Sequence, residues 1–104
     1  MTGLIADLQV SSLSKQYVTV PVAEVITGGD PTSDNVALAF PAVGSEPSAF
    51  VAGQWVTEAG VYYAQALVGP GTSAILPVGY YDVYVKVTDS PEVPVLRSGL
   101  LEIT

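Results

Sequence analysis

Residues 79–89 read GYYDVYVKVTD, and the alternation in this stretch decides the fold class. Tyr81, Val83, Val85 and Val87 fall on one side at a period of two, while Tyr80, Asp82, Tyr84, Lys86 and Thr88 fall on the other. Successive side chains of a strand point to opposite faces. The stretch therefore predicts a half-buried antiparallel strand with one dry and one wet side. Pro77 and Gly79, a fixed φ and then a permissive residue, turn the chain into it. Tyr81 shares the valine face and is expected in the core, its hydroxyl bonded to a nearby loop backbone.

The same pattern recurs outward from this strand. Residues 61–68 (VYYAQALV) form a second strand, with Tyr62, Ala64, Ala66 and Val68 as the more apolar face, ended by Gly69-Pro70-Gly71. Residues 54–57 carry the sole tryptophan, Trp55, and the turn Glu58-Ala59-Gly60 gives a hairpin signal into Val61. Residues 35–40 put Val36, Leu38 and Phe40 on one face. Residues 17–26 alternate with Val18, Val20 and Val22 together, and Pro21 marks an edge strand or a bulge, because proline cannot donate to a ladder. Residues 100–103 close the chain, and a weaker strand covers 4–10. Six or seven short strands between Gly/Pro turns, with no helical periodicity, predict one all-β domain over 1–104. The expected architecture is an immunoglobulin-like antiparallel β-sandwich of about seven strands.

Bulk composition narrows the function. The chain has 104 residues and a net charge of −7, with Lys15, Lys86 and Arg97 as its only basic side chains. Three cations cannot make a phosphate-binding footprint, so nucleic acid is not an expected partner. Anionic membrane surfaces are disfavoured for the same reason. No stretch reaches the ~18 apolar residues of a helical span, and the N-terminal residues lack a signal-peptide pattern. The expectation is a protein first used inside a cell, with a partner surface that is neutral, apolar or basic.

Catalytic chemistry finds little footing. There is no histidine and no cysteine, which removes the usual neutral-pH base, the thiolate nucleophile and thiolate metal sites. No nucleophile elbow or P-loop occurs. Carboxylate pairs such as Asp30 with Asp34, or Asp89 with Glu92, lie where turns recruit acidic residues anyway. Asp30 and Asp34 also offer oxygens to a calcium ion but lack the spacing that supplies six or more ligands. Asx-turn chemistry is the favoured reading there. The expectation is a protein that is not an enzyme, with no cofactor and no metal.

Six tyrosines and Trp55 are many aromatics for so small a domain. Tyr63, Tyr80 and Tyr84 are the first contact candidates, since tyrosine supplies interface area at little entropic cost. Exposed tyrosine is also ordinary on strands, through β-propensity. The leucines of the N-terminal segment 1–15, Leu4, Leu8 and Leu13, fit either an arm that docks on a neighbour or a first strand of the domain; Leu4 and Leu8 join the contact candidates.

Several stretches carry a family resemblance: VTVPV (18–22), GGDPTSDNVALAF (28–40), the QW pair (54–55), ALVGPG (66–71), LPVGYYDVYVKVTDSPEVPV (76–95) and SGLLEIT (98–104). In this order they resemble small immunoglobulin-like virion proteins of tailed phages of actinobacteria, encoded near the major capsid and head–tail connector genes. The pattern LPxGxYxVxVxVTDxPE within residues 76–92 is also similar to baseplate-type β-modules more widely. The resemblance implies an accessory protein of the virion, assembled in the host bacterial cytoplasm. It would decorate the capsid or the head–tail neck in many copies, held to the major capsid protein or to connector proteins by protein contact. The alternative it leaves is a carbohydrate- or receptor-binding β-module of the tail or baseplate, stacking sugars on exposed tyrosines and Trp55. The resemblance carries no catalytic residues.

Overall fold

A computed structural model describes residues 6–22, 34–88, 93 and 95–104, the side chains of residues 6 and 7 excepted. Eight strands occur among them: β1 (Ala6–Val10), β2 (Gln16–Pro21), β3 (Asn35–Ala39), β4 (Phe50–Ala52), β5 (Gln54–Glu58), β6 (Val61–Val68), β7 (Gly79–Thr88) and β8 (Val95–Ile103). They form a five-stranded sheet, β1-β8-β7-β3-β4, and a three-stranded sheet, β2-β6-β5. The order β8-β7-β3 facing β2-β6-β5 is the G-F-C and B-E-D arrangement of an immunoglobulin-like sandwich.

The inner faces are those that the alternation predicts. Val83, Val85 and Val87 of β7 are fully buried, and they share one core with Val18, Val20, Leu38, Ala64, Ala66, Val68 and Leu101. Each of these valine and leucine side chains contributes about 1.5–3 kcal/mol by leaving water. Tyr81 packs against this core, and its hydroxyl donates to the Pro77 carbonyl at 2.7 Å. This is the tyrosine corner of the fold, at the start of the F-equivalent strand. Val83, two residues on, stands where antibody domains carry a cysteine. In its place, valine packing holds the sheets together.

Three features differ from the expectation. The edge pair β1–β8 runs parallel, Leu8 opposite Leu101 and Val10 opposite Ile103, while every other strand pair is antiparallel. The chain enters along β8 and then crosses to the second sheet, with Ser12 N–H donating to the Thr104 carbonyl at 2.9 Å. Residues 6–10 are thus a strand of the domain rather than a free arm. Second, β4 is a strand that the sequence pattern did not show, three residues long between Pro47 and Gly53. Third, β2 ends at Pro21, and the rest of the expected strand, residues 23–26, lies outside the described residues. Val22 N–H bonds Tyr62, so the Pro21 nitrogen points away from β6 to the open side of an edge strand.

At one end of the sandwich, here the lower end, β1, β3, β6 and β8 finish while β2 and β7 begin. The connections there are residues 11–15, 40–49 and 69–78. Gly69 lets two of them touch. Its φ is +118°, and a Cβ on it would run into the Ser14 carbonyl and the Lys15 Cα at 2.9 Å.

Candidate protein-docking surfaces

The five predicted contact residues do not form one patch. Leu4 lies outside the described residues. Leu8 sits opposite Leu101, partly buried and packed against the core. Tyr63 lies on the outer face of the three-stranded sheet, in a row with Pro21 and Val56. The row beside it is polar: Thr19 Oγ1 donates to Gln65 Oε1 at 3.2 Å, and Gln65 Nε2 donates to Gln54 Oε1 at 3.3 Å. Tyr80 and Tyr84 lie on the opposite side of the molecule, on the outer face of the five-stranded sheet. Tyr80 is 59% exposed and Tyr84 is half-buried.

On that face, β7 carries an ion pair that the alternation alone assigns to water. Asp82 is buried, and Arg97 Nε donates to its Oδ1 at 2.7 Å. Gly44 N–H, from the loop after β3, donates to Oδ2 at 3.2 Å. The Arg97 hydrogen bond holds the Asp82 carboxyl below the ordinary aspartate range, outweighing the upward push of burial, with Gly44 assisting. A β-bulge makes the pair possible. Val83 opposes Gly99 but Tyr84 opposes Arg97, so Ser98 is the extra residue. In unbroken register Arg97 would oppose Val85 and point into the core; the bulge turns it outward. Further along the face, the Lys86 ammonium lies 4.4 Å from the Phe50 ring centroid.

Two open clefts flank the β4–β5 crossover. One of about 490 Å³ is lined in part by Asp34, Asn35, Ala37, Ala52, Trp55 and Lys86. The other, of about 500 Å³, lies between Lys15, Val51, Leu67 and Thr72. Trp55 is half-buried, packs against the core and donates its indole N–H to the Asp34 carbonyl at 2.8 Å. It belongs to the three-stranded sheet, whereas Tyr80 and Tyr84 belong to the five-stranded one. Of the ion candidates, Asp34 is described and its backbone serves Trp55; Asp30, Asp89 and Glu92 lie outside the described residues. Among the described residues no three acidic side chains gather in one place.

Among the described residues, the most exposed large apolar side chains lie elsewhere, at the lower end. Leu13 is 89% exposed, Val78 69%, Ile75 68%, Tyr80 59% and Val43 53%. They come from the connections 11–15, 40–49 and 69–78 and from the first turn of β7. Val43 N–H reaches the Tyr80 carbonyl at 3.4 Å, and the Gly69 contact ties the other two loops together. Of these five residues, sequence reasoning named Tyr80 as a contact and Leu13 as part of an arm. The run Ile75-Leu76-Pro77-Val78 is the signal that could have pointed to two of the others, Ile75 and Val78: an apolar stretch inside a connection, where polar residues are usual.

No family model, curated protein or solved structure matches this chain.

Proposed function

We propose that this chain is a non-enzymatic structural protein of a tailed bacteriophage virion. In this reading it decorates the capsid or the head–tail neck through protein–protein contacts with the major capsid protein or the connector proteins. The observation that carries the docking role is the lower end: five apolar side chains exposed to water on the start of β7 and on connections, of which 11–15 and 40–49 are hydrogen-bonded to neighbouring backbone. Large exposed apolar patches on a small soluble domain mark interaction sites. The virion setting is supported by the resemblance of segments 18–22, 28–40, 66–71 and 76–95 to small phage virion proteins. A rigid module presenting one adhesive end suits arrayed display, where each seated copy raises the effective concentration for contacts by its linked neighbours.

The test is mass spectrometry of gradient-purified particles of the source phage. The chain is expected in mature particles, in stoichiometric amounts relative to the major capsid protein or to a neck protein. Its absence from mature particles would remove the virion reading.

A further inference from the structure

We infer that the lower end seats on a partner protein whose contact surface is apolar at its centre and basic around it, and that this partner is not a second copy of the chain. The inference rests on the docking reading above and adds the partner's chemistry to it. Five apolar side chains fall short of the 20–30 residues a side that a stable interface uses, roughly 800 Å² per partner. The ring around them must therefore join the contact, and its charge selects the partner.

That ring is acidic beside Tyr80. Glu102 stands directly opposite Tyr80 in the β7–β8 ladder, and the exposed Glu46 follows the Ala42–Ser45 turn in the loop that carries Val43. Among the described residues Glu102 has a neutral partner, accepting from Gln9 Nε2 at 3.2 Å. The neighbouring Asp82 is already matched by Arg97. On the Leu13 side, among the described residues, the ring offers Lys15 alone. One cation against two carboxylates leaves the ring negative, on a chain whose net charge is −7. A two-fold self-contact lays the same patch on both copies, so it would set this acidic ring against itself and bring two bodies of charge −7 together. A surface with Lys or Arg around an apolar centre gains from both features.

A defined probe tests this without any virus particle. The ¹⁵N-labelled full chain is titrated with a synthetic amphipathic peptide of Leu and Lys, and with matched peptides carrying Gln or Glu in place of Lys, while amide shifts are followed by NMR. The expected result is saturable shifts centred on Leu13, Val43, Ile75, Val78 and Tyr80, with the Lys peptide binding at least about tenfold tighter than the Glu peptide. Leu13→Ser with Val78→Ser should abolish them. Glu46→Gln with Glu102→Gln should weaken the Lys peptide severalfold and leave the Gln peptide unchanged. Shifts scattered over acidic residues away from the lower end would overturn the inference, as would equal affinity for all three peptides. Sedimentation of the chain alone gives a separate arm. A monomer at high micromolar concentration is expected, and a dimer abolished by Leu13→Ser with Val78→Ser would overturn the exclusion of a second copy. Loss of the virion reading in mass spectrometry leaves both arms intact, so the two failures are distinguishable.

Discussion

Asp82 shows how much a single residue on this strand depends on distant parts of the chain. Alternation places it correctly on the outer face of β7, but not its burial. That comes from Arg97, turned outward by the bulge, and from Gly44, folded over it by the loop after β3. None of these is local to residues 79–89, which is why the sequence pattern showed a wet position. The folded carboxyl sits below its ordinary pKa, so its contribution is present at neutral pH and is lost as pH falls from the ordinary aspartate range of about 4 through the lower folded value. Asp82→Asn should lower stability at pH 7 by about 1–3 kcal/mol, the worth of a charge-assisted, partly buried bond. The deficit relative to the native chain should shrink below pH 4. Urea unfolding of both proteins at neutral and acid pH checks this; a deficit of constant size would contradict it. Tyr81 is the opposite case. Its place in the valine row and the Pro77 turn just before it made both its burial and its hydroxyl bond legible. Tyr81→Phe removes only the bond to the Pro77 carbonyl and should cost about 1 kcal/mol, read from the thermal midpoint.

Among the elements, the long alternating strands were legible and the short or context-made ones were not. β7 and β6 each have enough residues for period two to show, and Pro21 announced an edge strand or a bulge, of which the structure has the edge. β4 has three residues, too few for any periodicity. The parallel pairing of β1 with β8 joins opposite ends of the chain, and local pattern carries no information about it. The crossover between sheets is likewise hidden in one glycine. Gly53 donates to the Val36 carbonyl at 2.8 Å, and a Cβ on it would lie 2.7 Å from Leu38 Cδ1 and 3.1 Å from the Gln65 carbonyl. The chain therefore passes from β4 to β5 where both sheets press on it. Gly53→Ala should destabilise by about 1–3 kcal/mol, as overpacking does, because the backbone oxygen cannot move aside as a side chain can. Chemical denaturation reads this directly, and an unchanged midpoint would mean that the crossover has more room than the geometry gives it.

At the scale of the whole molecule, the division is between a core that holds the fold and exposed apolar side chains at the lower end that take little part in its packing. The candidate site was less legible than the sandwich. Tyrosines on strands drew attention because their type suggests contact, yet Tyr63 and Tyr80 end up on opposite faces and Leu8 is partly buried against the core. The lower end is assembled from three connections far apart in sequence, so only the topology reveals it. Its apolar side chains are almost free of packing duty. Leu13→Ser with Val78→Ser should leave unfolding stability within about 0.5 kcal/mol of the native chain, while docking is lost. A large drop in stability would show that these side chains serve the fold. The most direct measurement of the account as a whole is a cryo-EM reconstruction of purified particles of the tailed phage that the proposed function calls for. The account predicts this domain on the capsid or the neck, with Leu13, Ile75 and Val78 turned into a neighbouring protein and basic side chains of that neighbour beside Glu46 and Glu102. A particle that lacks the domain, or carries it with this end facing solvent, would contradict it.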